Sequence, residues 1–184
     1  MMTNAAKKPQ ELADIDRLEA GRYRSRTAAA TQELGALFGA LLQPGDLVVL
    51  TGDLGAGKTC FTGGVARGLG DDSSVTSPTF AIMVVHDRGR LPLYHFDLYR
   101  LEDPSQLEDV GIYDVLDDDG ACLVEWGDLF SHELGDERLD VALLREEGAP
   151  GEPARILELR PRGERAEALA RAFDDAVTRA CDGR

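Results

Sequence analysis

Gly52-Asp53-Leu54-Gly55-Ala56-Gly57-Lys58-Thr59 obeys the spacing G-x-x-x-x-G-K-[ST] of a phosphate-binding loop. The chain carries 17 arginines but only 3 lysines, two of them at positions 7 and 8. Lysine at position 58 therefore stands alone in a chain that otherwise uses arginine. Its compact ammonium, on a flexible stem, reaches between β- and γ-phosphates inside a tight backbone nest where a planar guanidinium fits less well. The apolar run 47–50 precedes the loop and a helical pattern from 58 to 70 follows it, which is the required order of strand, glycine loop and helix. In that order successive backbone N–H groups and the positive end of the helix dipole converge on one anion. Leu54, Gly55, Ala56, Gly57, Lys58 and Thr59 are the nucleotide-binding candidates. The Thr59 hydroxyl is placed to hold magnesium.

Composition limits what surrounds this loop. A chain of 184 residues with 43% hydrophobic content buries one good core, and we expect a single domain over residues 22–184 behind a mobile N-terminal extension, residues 1–21. A net charge of −14 opposes a broad nucleic-acid groove, so strong direct RNA binding is not expected. With no long apolar run and no leading signal-like segment, the chain reads as cytoplasmic and free of membrane. The cysteines at 60, 122 and 181 lack metal-ligand spacing and read as reduced, structural thiols.

Outward from the loop, residues 23–26 read as an edge strand. Thr27 reads as the N-cap of a helix that buries Ala30, Leu34, Leu37, Phe38, Leu41 and Leu42. Downstream, Thr76-Ser77-Pro78-Thr79 is either a turn that starts a strand or a switch-like loop sensing phosphate or its metal through Ser77 and Thr79. Residues 80–86 and 91–96 read as a hairpin around Gly89, which interrupts the αβ alternation. Asp97 closes the second of these strands, where α/β sheets place ligands. It either serves the metal or the attacking water, or caps the next turn. By alternation His95 points away from Tyr94 and Phe96, and it reads as a structural histidine.

The apolar residues 122–124 suit a buried parallel strand that delivers Glu125 to the position of a Walker-B-type acid. Trp126, the only tryptophan, either packs in the core or contacts nucleotide or a partner. A helix is expected from 103 to 116, a last hairpin over 138–144 and 155–159, and a final helix over 163–180 burying Ala168, Leu169, Ala172, Phe173 and Ala176. The fold class is α/β, a P-loop NTPase-like three-layer sandwich whose mixed central sheet includes antiparallel hairpins.

The ordered set GDLGAGKT, TSPTF, YHFDLYRL and LVEW resembles the bacterial TsaE-type family of small P-loop ATPases required for threonylcarbamoyladenosine modification of tRNA. The resemblance spans roughly residues 27–130. It implies ATP and Mg2+ as ligands, and a separate tRNA threonylcarbamoyl transferase heterodimer as partner. It also implies Leu54 to Thr59 as the nucleotide loop, Thr59 and Glu125 as magnesium ligands, Asp97 as an acidic residue required for hydrolysis, Ser77 and Thr79 in a switch-like segment, and Thr27 near the nucleotide; Lys58, Asp97 and Glu125 are the catalytic candidates. Gly127 departs from the family, which often has proline there. A small-molecule or nucleotide kinase using the same loop is the alternative. A guanine-reading N-K-x-D or T-K-x-D element is excluded, because no lysine follows residue 58.

Overall fold

The computed structural model describes residues 10–116, 118–146 and 153–182. Its elements are α1 (Gln10–Ala13), β1 (Ile15–Glu19), β2 (Arg22–Ser25), α2 (Ala28–Gly39), β3 (Leu47–Thr51), α3 (Lys58–Leu69), β4 (Met83–His86), β5 (Leu93–Asp97), α4 (Gln106–Asp109), α5 (Ile112–Val115), β6 (Ala121–Glu125), β7 (Arg138–Glu146), β8 (Ala154–Arg162) and α6 (Gly163–Asp182). A 3-10 turn, Gly127–Phe130, follows β6.

The strands form one eight-stranded sheet in the order β1-β2-β8-β7-β3-β6-β5-β4. Its centre is parallel, with β3 between β7 and β6, and β5 beside β6. Antiparallel pairs close both sides: β4 on β5, then β7-β8, β8-β2 and β2-β1 on the other. The central strands are apolar on both faces, as parallel strands covered by helices must be. Val48, Leu50, Ala121, Leu123, Val141 and Leu143 face a core roofed by α2, α3 and α6. Val49, Phe96, Cys122 and Val124 face a second core under α4, α5 and the 3-10 turn, with Leu107, Ile112 and Phe130. This is the expected three-layer α/β arrangement with a mixed sheet.

α2 and α3 lie backbone to backbone. A Cβ at Gly64 would overlap the Gln32 carbonyl and approach Gly35 Cα to 2.9 Å, and one at Gly39 would overlap the Val65 carbonyl. These glycines let the phosphate-loop helix dock tightly on its neighbour.

Several sequence expectations are corrected. Residues 10–21 are not a mobile extension: β1 pairs with β2, Ile15 is buried, and the first domain boundary falls earlier than residue 22. Residues 1–9 lie outside the described residues. β2 is consequently an inner strand between β1 and β8 rather than an edge. β4 begins at Met83, not residue 80, because Ile82 N–H bonds the Pro78 carbonyl at 2.6 Å and Ile82 takes a left-handed φ of 65°, closing a turn ahead of the strand. The single helix expected over 103–116 is broken into two turns at Gly111, whose φ is 73°. On α6 the buried stripe is Ala166, Leu169, Phe173, Val177 and Cys181, while Ala168 is exposed. The stripe follows the three- and four-residue spacing but is phased by the sheet beneath it. Much of the loop expected between the last two strands, residues 147–152, lies outside the described residues.

Candidate functional site

The phosphate loop leaves β3 at Thr51 and enters α3 at Lys58. Gly57, the N-cap of α3, has φ 108°, and Gly52 has φ 131° with no room for a Cβ against the Leu143 carbonyl. Both conformations are open to glycine and strained for other residues. Ala56 is buried and its N–H bonds the Asp53 carbonyl at 3.0 Å, which holds the loop's curl. Leu54, Gly55, Gly57, Lys58 and Thr59 line a cavity of about 330 Å³ that Ser77, Thr79, Asp97, Tyr99, Glu125 and Trp126 complete.

Lys58 Nζ donates to the Gly52 carbonyl at 2.6 Å and the Asp53 carbonyl at 3.2 Å, and lies 3.9 Å from the centre of the Trp126 ring. Burial pushes the Lys58 ammonium below its ordinary pKa, opposed by the negative charges of Glu125 and Asp97. A bound polyphosphate would act in the same direction as those carboxylates, favouring the charged lysine.

Asp97 and Glu125 are register partners at the C-terminal ends of β5 and β6, and both are almost fully buried. Strand parity puts them on the α3 face with Leu93 and Leu123. Their partners differ. Glu125 accepts from Thr59 Oγ1, at 3.1 Å to Oε1 and 3.4 Å to Oε2, and its Oε1 lies within hydrogen-bond distance of His95 Nε2, at 3.0 Å. Asp97 Oδ2 accepts from Ser77 and Thr79, each at 2.6 Å, while its Oδ1 accepts the Tyr99 N–H at 3.1 Å. Ser77 and Thr79 are 2.7 Å apart. Asp97 therefore caps the following turn through Tyr99, one of its two sequence alternatives, and also holds the 77–79 segment to the cavity.

Thr59 and Glu125 together offer a hydroxyl and a carboxylate, hard oxygen donors on one wall of the cavity. That set fits Mg2+, which commonly takes one or two carboxylates from protein and the rest from substrate phosphates and water. No group of three or more His, Cys, Asp or Glu residues among the described residues forms a protein-only metal cage.

Trp126 adopts a left-handed φ of 62° directly after β6, its N–H bonding the Leu50 carbonyl at 3.1 Å, and its ring packs 5.1 Å from Tyr99. It therefore borders the cavity rather than filling the core. Thr27 caps α2 by accepting the Ala30 N–H at 3.1 Å; it does not line the cavity, although the adjoining Ala28 carbonyl accepts from Cys60 on α3 at 3.3 Å.

Three neighbours escaped the sequence reading. His95 carried a usable signal, since it shares a strand face with Asp97 two residues on. Arg145 on β7 donates to the Gly55 carbonyl at 3.0 Å, and Tyr99 lies against Trp126; nothing local in the chain announces either contact.

Fold and cavity together define a P-loop-type α/β protein whose loop is joined by two carboxylates from adjacent parallel strands. The TsaE family, described as threonylcarbamoyl adenosine biosynthesis protein TsaE, matches residues 25–153, more than half of the chain, and the chain belongs to that family. Among its relatives, a tRNA threonylcarbamoyladenosine biosynthesis protein TsaE of Bacillus subtilis is 45% identical over 124 residues, covering 67% of this chain and 77% of the relative. That of Streptomyces coelicolor is 42% identical over 137 residues, covering 73% and 92%. The crystal structure of Bacillus subtilis YdiB superposes with a TM-score of 0.69 at 35% identity, covering 84% of this chain and 93% of that one. No helix among the described residues is long and apolar enough to cross a membrane.

Proposed function

We propose that this protein binds magnesium-ATP and hydrolyses it in the cytoplasm, in support of threonylcarbamoyladenosine formation on tRNA, acting with a separate tRNA threonylcarbamoyl transferase heterodimer. The observation that carries the ATPase reading is the pairing of Asp97 with Glu125, in register and on the phosphate-loop side of the sheet, with Glu125 bonded to Thr59. The relatives' names carry the tRNA reading.

In this proposal the loop amides and Lys58 bind the phosphates, and Lys58 exchanges the Gly52 and Asp53 carbonyls for phosphate oxygens. Thr59 and Glu125 would hold Mg2+, which would supply positive charge against the phosphates. Asp97 orients the attacking water and is the acid needed for turnover. Ser77 and Thr79, bonded to Asp97, make the 77–79 segment responsive to what lies in the cavity. Trp126, on the cavity wall, lies at the nucleotide's periphery.

Partner dependence is supported by the apolar side chains around the cavity: Leu54 and Tyr99 on its wall, Phe80 next to Thr79, and Leu129 in the turn after Trp126 are all exposed. Exposed apolar side chains grouped about a functional cavity suit protein contact. The net charge of −14 suits a chain that reaches tRNA through a partner rather than directly.

The test is release of phosphate from γ-labelled ATP, with and without the transferase heterodimer. Label is expected in inorganic phosphate, dependent on magnesium and accelerated by the heterodimer. Label transferred to a metabolite instead would replace hydrolysis with the kinase alternative.

A further inference from the structure

His95 lies wholly inside the protein on β5, between β4 and β6, and its Nε2 meets Glu125 Oε1 at 3.0 Å. An ionised carboxylate only accepts, so this contact needs the proton on Nε2. The other ring nitrogen, Nδ1, is buried without a hydrogen bond. On the side of β4, the His86 ring stacks at 5.8 Å and 29° to it, and His86 Nε2 is likewise buried and unbonded.

This is a poor arrangement for a histidine serving the core alone. Buried polar atoms ordinarily find partners, and an apolar ring at position 95 would fill the same space with no nitrogen to desolvate. The one hydrogen bond His95 does make goes to the carboxylate that lines the phosphate-loop cavity. Its aim is set by neighbours that make no hydrogen bond to it: the His86 ring stacked against it, and Leu123 and Val84, which the strand register sets at either side.

We propose that His95 is a positioning residue for Glu125. Its Nε2–H engages Oε1 and fixes the carboxylate's rotation, so that Glu125 meets Mg2+ in one orientation alongside Thr59. This rests on the reading of Glu125 as a magnesium ligand. A partner that orients a ligating group from behind tunes metal affinity about 10–100-fold. The effect is therefore expected in magnesium dependence rather than in nucleotide binding as such.

The test compares wild type, His95→Phe, which keeps an aromatic ring but no donor, and His95→Gln, whose amide can present a donor near the Nε2 position. Binding of a fluorescent ATP analogue to the full chain is followed by magnesium titration and again in chelator, beside thermal melts. His95→Phe is expected to raise the magnesium needed for half-maximal binding about 10-fold while leaving binding in chelator unchanged. His95→Gln is expected to recover most of that loss, and His95→Phe placed on Glu125→Ala is expected to add nothing.

Magnesium dependence unchanged in a folded His95→Phe protein, or a Gln variant as impaired as the Phe variant, overturns the proposal. Should His95→Phe not fold, His95→Asn takes its place, being polar but too short to reach Glu125. A wild-type chain whose nucleotide binding ignores magnesium overturns the reading of Glu125 itself, and the role of His95 with it; that outcome is distinguishable because it appears before any substitution is made.

Discussion

The parallel centre of the sheet and its antiparallel wing both set an acidic side chain among several donors, but the donors differ in kind. In the wing, Asp174 on α6 receives Arg17 from β1 at 2.9 and 2.7 Å and the Tyr23 hydroxyl from β2 at 2.9 Å. A cation resides there permanently, and the cluster ties three elements together over the aromatic contacts of Tyr23 and Phe38 with Phe173. In the centre, Asp97 and Glu125 are bonded by hydroxyls, a backbone amide and an imidazole. Hydroxyls can give up such bonds to a metal or water, and an arginine fork gives up a carboxylate far less readily. The wing's acid is committed to structure, whereas the centre's acids are bonded by donors that can let go, as the proposed roles in binding magnesium and water require.

The largest effect expected is at the one lysine of the centre. Lys58→Ala should weaken ATP binding at least about 100-fold, since each hydrogen bond from a charged donor is worth about 1.5–3 kcal/mol and a β,γ-bridging ammonium makes more than one. Equilibrium dialysis checks it, and near-normal affinity would detach the loop from nucleotide binding.

The two central acids should then separate. Asp97→Ala is expected to lower turnover about 100-fold with ATP affinity little changed, whereas Glu125→Ala should mainly weaken magnesium-dependent binding. Equal loss of binding in both would erase the division between them. Gly64→Val tests the platform under the site: the added side chain meets the backbone of α2, and overpacking of about 2 kcal/mol should appear as a lower denaturant midpoint.

The smallest effect belongs to the wing. The Arg17 hydrogen bonds, and then Tyr23, hold the Asp174 carboxyl below its ordinary pKa. Because the native value is the lower one, the associated stability is complete above the ordinary carboxylate value of about 3.9 and fades as pH falls through the native value. Asp174→Asn should cost about 1 kcal/mol at pH 7, discounted for Arg17's partial exposure, with the gap from wild type closing below about pH 4. ATP binding should not change. A gap that persists in acid would show that packing, not charge, ties the wing down.

Most of the central architecture was legible along the chain because its signals are local. The phosphate loop, the apolar strands before Asp97 and Glu125, the hairpin around Gly89 and the Thr27 cap each rest on residues within a few positions of one another. The expectations that failed depended on distant partners. β1 forms because β2 offers it an edge, with Ile15 closing the end of the α6 core, so a polar-looking segment became strand. The turn at Ile82 is likewise held from a distance, since the Asp97 N–H bonds the Ile82 carbonyl at 2.9 Å, whereas the break at Gly111 is local, made by a glycine with a φ of 73°.

By itself the sequence determined the phosphate loop, the identities of its two acidic companions and the α/β class, because a nest of amides at a helix start is encoded by eight consecutive residues. Only the tertiary structure decided which acid meets Thr59, which meets Ser77 and Thr79, and that His95 stands behind Glu125. Those pairings depend on strand order and register, which bring residues 59, 95 and 125 to one point although nothing in their own neighbourhoods requires it.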